Sequence, residues 1–216
     1  MRIILVGTCG MPFSEHDVET VPLGGTEHNL TKLAQVFRRC GLDVVLLSCP
    51  GCTGQDYLPV TLEDGRAFLA SATYDAIIYN NTVPASWGEV VPRHVSRLLW
   101  THLEALVPWL TSIESLAWID TVIVQSTTAM AAVRPQIGTL PIVQIEPGIE
   151  THRFLTEPPP LRSPYQALYC ATPTRGLVHL VNWAEDLMAI DARLRIVVSS
   201  GWEIYGHEKT SSRLDD

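Results

Sequence analysis

The sequence predicts an α/β protein built on a doubly wound parallel sheet. Short apolar runs recur along the chain, and amphipathic helical patterns separate them. The runs are nearly continuous in Val, Ile and Leu, which is typical of parallel strands buried on both faces. The composition suits a protein with a large core, because 46% of the 216 residues are hydrophobic and 18% are charged.

The first predicted unit is a strand, a helix and a second strand. An apolar run over residues 2–7 gives the first strand. Apolar residues then recur at the spacing of one helix face: Leu30, Leu33, Ala34 and Phe37. Gly41 stands where the end of a helix favours glycine, and residues 43–48 give the second strand. Such a βαβ unit has a right-handed crossover between parallel strands.

The same alternation continues to about residue 145. Further strands are predicted over residues 75–80, 97–101, 121–125 and 141–145. Helices are predicted between them, over residues 63–72, 108–117 and 126 to about 135, where Ser126 supplies an N-cap. We therefore expect six strands, with helices on both faces of the sheet.

The chain is predicted to hold two domains of unequal size. Residues 1–155 form a Rossmann-like first domain, and residues 156–164, with four prolines, form a stiff linker. Residues 165–216 hold one further strand–helix–strand unit and a polar tail. Because one such unit cannot bury both faces of its sheet, we expect the second domain to be incomplete.

Charge, hydropathy and cysteine content exclude several classes of protein. Fifteen Lys and Arg against 23 Asp and Glu give a net charge of −8, so binding to a nucleic-acid backbone is not expected. No apolar run is long enough to span a bilayer, and the first residues lack the pattern of a signal peptide. Five irregularly spaced cysteines suit thiols in a reducing compartment. We therefore expect a cytoplasmic protein.

Several candidate residues lie where predicted strands end or helices begin. Gly24 and Gly25 precede the first helix, where glycines let backbone N–H groups approach an anion, although they equally suit a plain loop. His102 follows a strand at the ligand-binding edge of the sheet, where it would donate a hydrogen bond, accept a proton, or bond a loop carbonyl. Asn80 and Asn81 end another strand at that edge, as polyol ligands or as turn residues.

Two further features have weaker interpretations. Arg175 begins the helix after the linker and would grip a phosphate, or it is an exposed first-turn residue. Cys49 and Cys52 form a C-x-x-C sequence after a strand. No helix follows to lower a thiol pKa, and no second ligand pair is present for zinc. A redox or metal function is therefore an alternative rather than the leading interpretation.

Taken in order, these elements resemble family 4 glycosyltransferases of the GT-B type. The motifs of that family's first domain are matched, in chain order, by residues 3–7, 24–27, 41–44, 75–78, 98–102 and 120–126. The start of its donor domain is matched by residues 172–177 and 191–194. Before the hinge, residues 146–150 with Phe154 resemble a further motif, but Pro147 stands where the family usually has Asn.

The resemblance implies a retaining enzyme that moves a sugar from a nucleotide-sugar to an acceptor, without a metal or other cofactor. Gly24 and Gly25 would lie against the donor diphosphate, and Arg175 would neutralise it. His102 would contact the donor sugar or support the departing phosphate. The acceptor-side candidates are Glu27, Asn80 and Asn81. Because that family keeps most nucleotide contacts late in the donor domain, we expect this chain to be weak or inactive alone.

Two other functional classes remain open. The first is a non-catalytic glycan-binding or partner subunit, whose second domain would be covered by another chain or another copy. It predicts exposed apolar surface around Leu177, Leu180 and Trp183. The second is a thiol-redox or metal protein that uses Cys49 and Cys52.

Overall fold

The computed structural model describes residues 1–7, 12–16, 24–102, 106, 112–148, 151, 155, 164–171 and 176–199. The chain divides into two compact units, Met1–Pro147 and Gly148–Asp216. The sequence places the end of the first domain at residue 155. The predicted linker, residues 156–164, lies outside the described residues except for Pro164.

The first unit is built on a parallel sheet, which has seven strands within the described residues. In chain order they are β1 (Arg2–Gly7), β2 (Asp43–Ser48), β3 (Tyr57–Pro59), β4 (Ala76–Asn80), β5 (Ser96–Trp100), β6 (Thr121–Val124) and β7 (Ile142–Gln144). Their order in space is β3-β2-β1-β4-β5-β6-β7, and each neighbouring pair is parallel. The sheet has one strand more than predicted, because β3 is too short to show a period.

Helices cover both faces of this sheet. The described helices of the first unit are α1 (Gly25–Arg39), α2 (Leu62–Ser71), α3 (Ile113–Leu116) and α4 (Thr127–Ile137). Leu30 and Ala34 of α1 pack into the core on one face. Leu69 of α2 and Val133 of α4 pack into the core on the opposite face. The predicted doubly wound α/β architecture is therefore confirmed.

Helix α4 begins as the sequence predicts but ends later. The hydroxyl of Ser126 accepts a hydrogen bond from the backbone N–H of Ala129 at 3.0 Å, which is the predicted N-cap. The helix continues past Pro135 to Ile137, so the predicted end near Pro135 is wrong. Ile137 is buried, and the Arg134 guanidinium donates to the carbonyl oxygen beyond the helix at 2.9 Å. These contacts hold the last turn although proline lacks its own N–H donor.

Aspartates at the amino-terminal edge of the sheet tie neighbouring strands together. Asp43 accepts a hydrogen bond from Nε of Arg2 at 2.7 Å, and Asp75 accepts one from the backbone N–H of Arg2 at 2.6 Å. Asp120 accepts hydrogen bonds from the backbone N–H of Arg97 at 2.8 Å and from its guanidinium at 2.7 Å. The Arg97 guanidinium holds the pKa of the Asp120 carboxyl below its usual value. These three aspartates of the motifs are therefore structural residues.

Helix α2 carries a glycine where a bulky aromatic ring fills the space for a side chain. A Cβ at Gly65 would lie 2.5 Å from Cζ2 of the buried Trp87, whose Nε1 donates to the carbonyl oxygen of Leu62 at 2.9 Å. We expect Gly65→Ala to lower the free energy of unfolding by about 1–3 kcal/mol. At an exposed position inside a helix, replacing glycine with alanine instead raises the free energy of unfolding by up to about 1 kcal/mol.

Urea denaturation measures this difference directly. Gly25→Ala is the control, because a Cβ added at Gly25 meets no atom of the described residues within 4 Å beyond the neighbouring backbone. We expect that control to change the free energy of unfolding by less than about 0.5 kcal/mol. A Gly65→Ala variant that is more stable than the natural protein would contradict the prediction.

The second unit is described as two parallel strands and one helix. They are β8 (Gln166–Cys170), α5 (Leu177–Ile190) and β9 (Arg195–Ser199). No residue of α5 is buried, and Val178, Val181 and Trp183 are each about 60% exposed. Leu177 and Leu180 are half-buried rather than exposed. The described part of this unit therefore leaves apolar side chains of α5 exposed. Helices with apolar residues on several sides are ordinarily buried by neighbouring elements.

Within the described ranges, no helix has both the length and the apolar character needed to cross a membrane.

Candidate functional site

The candidate site lies at a topological switch point of the sheet. From β1 the chain passes to β2 on one side, and it returns to β4 on the other side of β1. Open α/β sheets bind ligands outside the carboxyl ends of their strands at such a point. The strand ends that meet there are those of Gly7 and Asn80, with Ser48 beside Gly7. The Oγ of Ser48 is buried and has no hydrogen-bond partner among the described residues.

Gly7 allows helix α1 to lie close to the end of β1. A Cβ at Gly7 would lie 2.5 Å from Cδ1 of Leu30, so a side chain here would push the helix away. Gly25 lies five residues before Leu30, which places it about 7.5 Å further along the helix axis. The first turn of α1 therefore extends beyond the carboxyl edge of the sheet.

The first turn of α1 offers backbone N–H groups at this edge. Gly24 is the N-cap residue, with φ −60° and ψ 149°, and no side chain caps the helix. The first N–H groups of an α-helix have no intrahelical acceptor and carry partial positive charge, which suits an anion. Among the described residues, no atom outside the neighbouring backbone lies within 4 Å of a Cβ added at Gly25.

Glu27 lies in the same turn and is buried, with 7% of its surface exposed. The helix dipole stabilises a carboxylate at this position. A carboxylate accepts hydrogen bonds and repels phosphate. Its chemistry therefore fits a hydroxyl group of an acceptor better than the diphosphate of a donor.

His102 lies on the face of the sheet that α1 covers. The centroid of its ring is 4.2 Å from that of Trp100, and Trp100 packs against the same core as α1. The backbone N–H of His102 donates to Oδ1 of Asn81 at 2.8 Å. Its Nδ1 contacts the amide nitrogen of Gln125. Its Nε2 is buried without a hydrogen-bond partner among the described residues.

The two asparagines that end β4 have different environments. Asn80 is 3% exposed, and neither Oδ1 nor Nδ2 of its side chain has a partner among the described residues. A buried amide without hydrogen bonds costs free energy, so a ligand that forms hydrogen bonds with it would recover that cost. Asn81 has a positive φ of 59°, which Asn tolerates better than most residues, and it holds the backbone of His102. The Asn80 amide is therefore buried without a hydrogen-bond partner among the described residues, whereas Asn81 accepts a hydrogen bond from the His102 backbone.

The protonation of His102 links the site to stability. Burial lowers the pKa of its imidazole, because removal from water disfavours the charged ring. The unfolded state takes up a proton near its ordinary pKa of 6.5, whereas the folded state takes it up only at lower pH. Stability therefore falls as the pH drops below that value.

We expect this to appear as a pH-dependent free energy of unfolding. The free energy of unfolding should decrease between pH 7.5 and about pH 5, a range that brackets the ordinary pKa of histidine. In His102→Gln the decrease should be smaller, because the titrating group is gone. Guanidinium denaturation at the two pH values measures both slopes. Equal pH dependence in the two proteins would count against the prediction.

The remaining predicted residues lie elsewhere or outside the described residues. Arg175 is outside them. Cys49 and Cys52 lie in the turn after β2, with their Sγ atoms 3.5 Å apart. The cysteines within the described residues, which do not include Cys9, are thiols. A search of the same residues found no group of three or more side chains that could hold a metal ion.

Sequence reasoning missed Gln125 as a site residue. The sequence predicts it as the last residue of a strand, but β6 ends at Val124. The signal that identifies it is the register of β5 and β6, in which Trp100 pairs with Ile123. Continuing that register by two residues brings Gln125 opposite His102.

Comparisons with known proteins identify the fold. Neither a protein-family model nor a curated protein matches the sequence. Among solved structures, AviGT4, a glycosyltransferase involved in avilamycin A biosynthesis, matches with a TM-score of 0.53 and 14% identity. The match covers 93% of this chain and 64% of AviGT4. This chain therefore spans less than two thirds of that protein.

A second solved structure gives the same result. The apo form of the lipopolysaccharide outer core galactosyltransferase WaaB matches with a TM-score of 0.53 and 11% identity. The match covers 96% of this chain and 71% of WaaB. Likeness at such identities is a likeness of fold, which does not by itself carry an activity. The chain therefore has a glycosyltransferase-like GT-B fold, as the order of its motifs implied.

Proposed function

We propose that this chain takes part in the transfer of a sugar from a nucleotide-sugar to an acceptor hydroxyl. The observation that carries the proposal is a set of buried polar atoms at the carboxyl edge of the sheet that have no hydrogen-bond partner among the described residues. They belong to the Asn80 amide and to Nε2 of His102. Groups of this kind are matched by a ligand that is rich in hydroxyl and phosphate oxygens. The glycosyltransferase-like fold supports the same function.

On the donor side, the proposed chemistry is stabilisation of the leaving group. Negative charge grows on a phosphate oxygen as the sugar–phosphate bond breaks, and preorganised hydrogen-bond donors stabilise it. The open N–H groups at Gly24 and Gly25 would face the diphosphate. His102 would donate to the donor sugar or to the departing phosphate.

On the acceptor side, the proposed ligand is a sugar or polyol hydroxyl. Glu27 would accept a hydrogen bond from it, and Asn80 would both donate and accept. Asn81 would act through the backbone of His102, which it already holds. We further propose that the transfer retains the anomeric configuration and needs no metal ion or other cofactor.

We also expect this chain to turn over slowly by itself. The described part of its second unit has two strands and one helix, and no residue of that helix is buried. This part offers little surface for binding a nucleotide. The odd number and irregular spacing of its five cysteines suit a reducing compartment. A cytoplasmic location is therefore part of the proposal.

The test is binding and cleavage of nucleotide-sugars by the purified chain. Thermal-shift measurements with uridine, guanosine and thymidine diphosphates should show that at least one of them raises Tm. Uridine, guanosine and thymidine diphosphate sugars should then release nucleoside diphosphate slowly, and faster when a sugar acceptor is added. The rate should not change in EDTA. No shift with any diphosphate, together with no release, would overturn the proposal.

A second candidate function is that of a partner subunit without catalysis of its own. It is favoured by the uncovered apolar residues of α5, Val178, Val181 and Trp183. Light scattering on the purified chain would then show a dimer or a larger assembly. A monomer with nucleotide-dependent turnover would instead favour the transferase.

A further inference from the structure

We propose that Gln125 is a positioning residue that keeps the proton of the His102 ring on Nε2, so that His102 acts in the site as a hydrogen-bond donor. The tautomer is a property of the protein without ligand. Only the identity of the atom that Nε2 meets rests on the proposed function.

The geometry of two neighbouring strand ends carries this inference. Trp100 and Ile123 pair in the parallel register of β5 and β6. His102 and Gln125 each follow two residues later, just beyond the ends of these strands. The amide nitrogen of Gln125 contacts Nδ1 of His102. An amide nitrogen donates hydrogen bonds and does not accept them. Nδ1 therefore accepts, and the single proton of the neutral ring lies on Nε2.

Two other contacts hold His102 at the end of β5. Asn81 holds the backbone N–H of His102 at 2.8 Å, and Trp100 lies against the ring with a centroid distance of 4.2 Å. Nε2 is buried without a partner among the described residues, so a ligand meets the ring through this atom. The buried donor is matched by an oxygen with a lone pair.

This assignment decides between two roles for His102. A neutral ring protonated on Nε2 cannot take a proton from an acceptor hydroxyl through that atom. It donates instead to a phosphate or sugar oxygen, and its donation strengthens as negative charge grows on that oxygen. Gln125 touches none of the reacting atoms in this scheme, because it acts through His102.

The test is ¹⁵N nuclear magnetic resonance of the histidine side chains in the ligand-free full chain. The nitrogen shifts distinguish a protonated from an unprotonated ring nitrogen. We compare the natural protein with Gln125→Glu and Gln125→Met at pH 7.5, and the exposed His94 serves as an internal reference. The natural protein should show His102 protonated on Nε2 and unprotonated on Nδ1.

The two variants should change that pattern in different ways. A carboxylate only accepts hydrogen bonds, so Gln125→Glu should place a proton on Nδ1 of His102. Gln125→Met keeps the volume but removes the bond, so it should give a mixture of the two tautomers. A natural protein with the proton on Nδ1 would overturn the proposal. So would an unchanged His102 pattern in both variants.

A parallel measurement keeps the failure of the proposed function separate. The parallel measurement uses the nucleotide-sugar that the natural chain cleaves. The rate of nucleoside diphosphate release should fall in both variants, and it should fall more in Gln125→Glu than in Gln125→Met. If the resonances change as expected while the rates stay equal, the tautomer assignment stands. The role of Nε2 in sugar transfer is then wrong.

Discussion

Replacing His102 with alanine is expected to reduce nucleotide-sugar turnover by about 100- to 1,000-fold. The change removes the Nε2 donor that lies buried without a partner among the described residues. Stabilisation of charge on a leaving oxygen is lost with it. Initial rates of nucleoside diphosphate release at saturating nucleotide-sugar measure the effect, and circular dichroism checks that the fold is kept.

Two further variants make this result specific. His102→Gln keeps an amide donor at the position and should recover part of the lost rate. His94→Ala removes an exposed histidine that precedes β5, and its rate should equal that of the natural protein. An unchanged rate in His102→Ala, or an equal loss in His94→Ala, would contradict the prediction.

Replacing Gly25 with valine is expected to weaken binding of a nucleoside diphosphate while the protein stays folded. The space around an added Cβ is open, so the branched side chain would fill the volume through which an anion reaches the first turn of α1. Loss of one hydrogen bond to a charged group costs about 1.5–3 kcal/mol. That corresponds to an increase in Kd on the order of 10- to 100-fold.

Calorimetric titration with the diphosphate that gives the largest thermal shift measures this increase. Gly25→Ala completes the series, and it should bind more tightly than Gly25→Val and less tightly than the natural protein. Both variants should unfold at nearly the natural urea concentration. Unchanged affinity in Gly25→Val would show that the anion does not bind at this turn.

Most of the fold could be predicted from the sequence because its elements are long and strongly patterned. The apolar run of β1 and the helical spacing of Leu30, Ala34 and Phe37 each point to one structure. β3 escaped prediction because Tyr57–Pro59 has three residues and ends in proline. The end of α4 was misplaced because local rules count the missing N–H of Pro135 but not the burial of Ile137.

The candidate site could be predicted only in outline. The rule that parallel strands present their carboxyl ends at one edge was enough to place Asn80 and His102 there. It could not show that the Asn80 side chain has no hydrogen-bond partner in the described part of the chain while Asn81 holds the His102 backbone, because burial and pairing depend on the whole sheet. Gln125 is an uncharged residue 23 positions from His102 in the chain, so its contact follows from strand register alone.

Strand alignment and the candidate site lie at opposite edges of the sheet. Asp43, Asp75 and Asp120 fasten strand alignment at one rim, about 15–20 Å from the opposite rim by the length of a typical strand. Loops at that opposite rim are therefore free to diverge during evolution without loosening the scaffold. Residues in these loops should therefore tolerate replacement with little change in the free energy of unfolding.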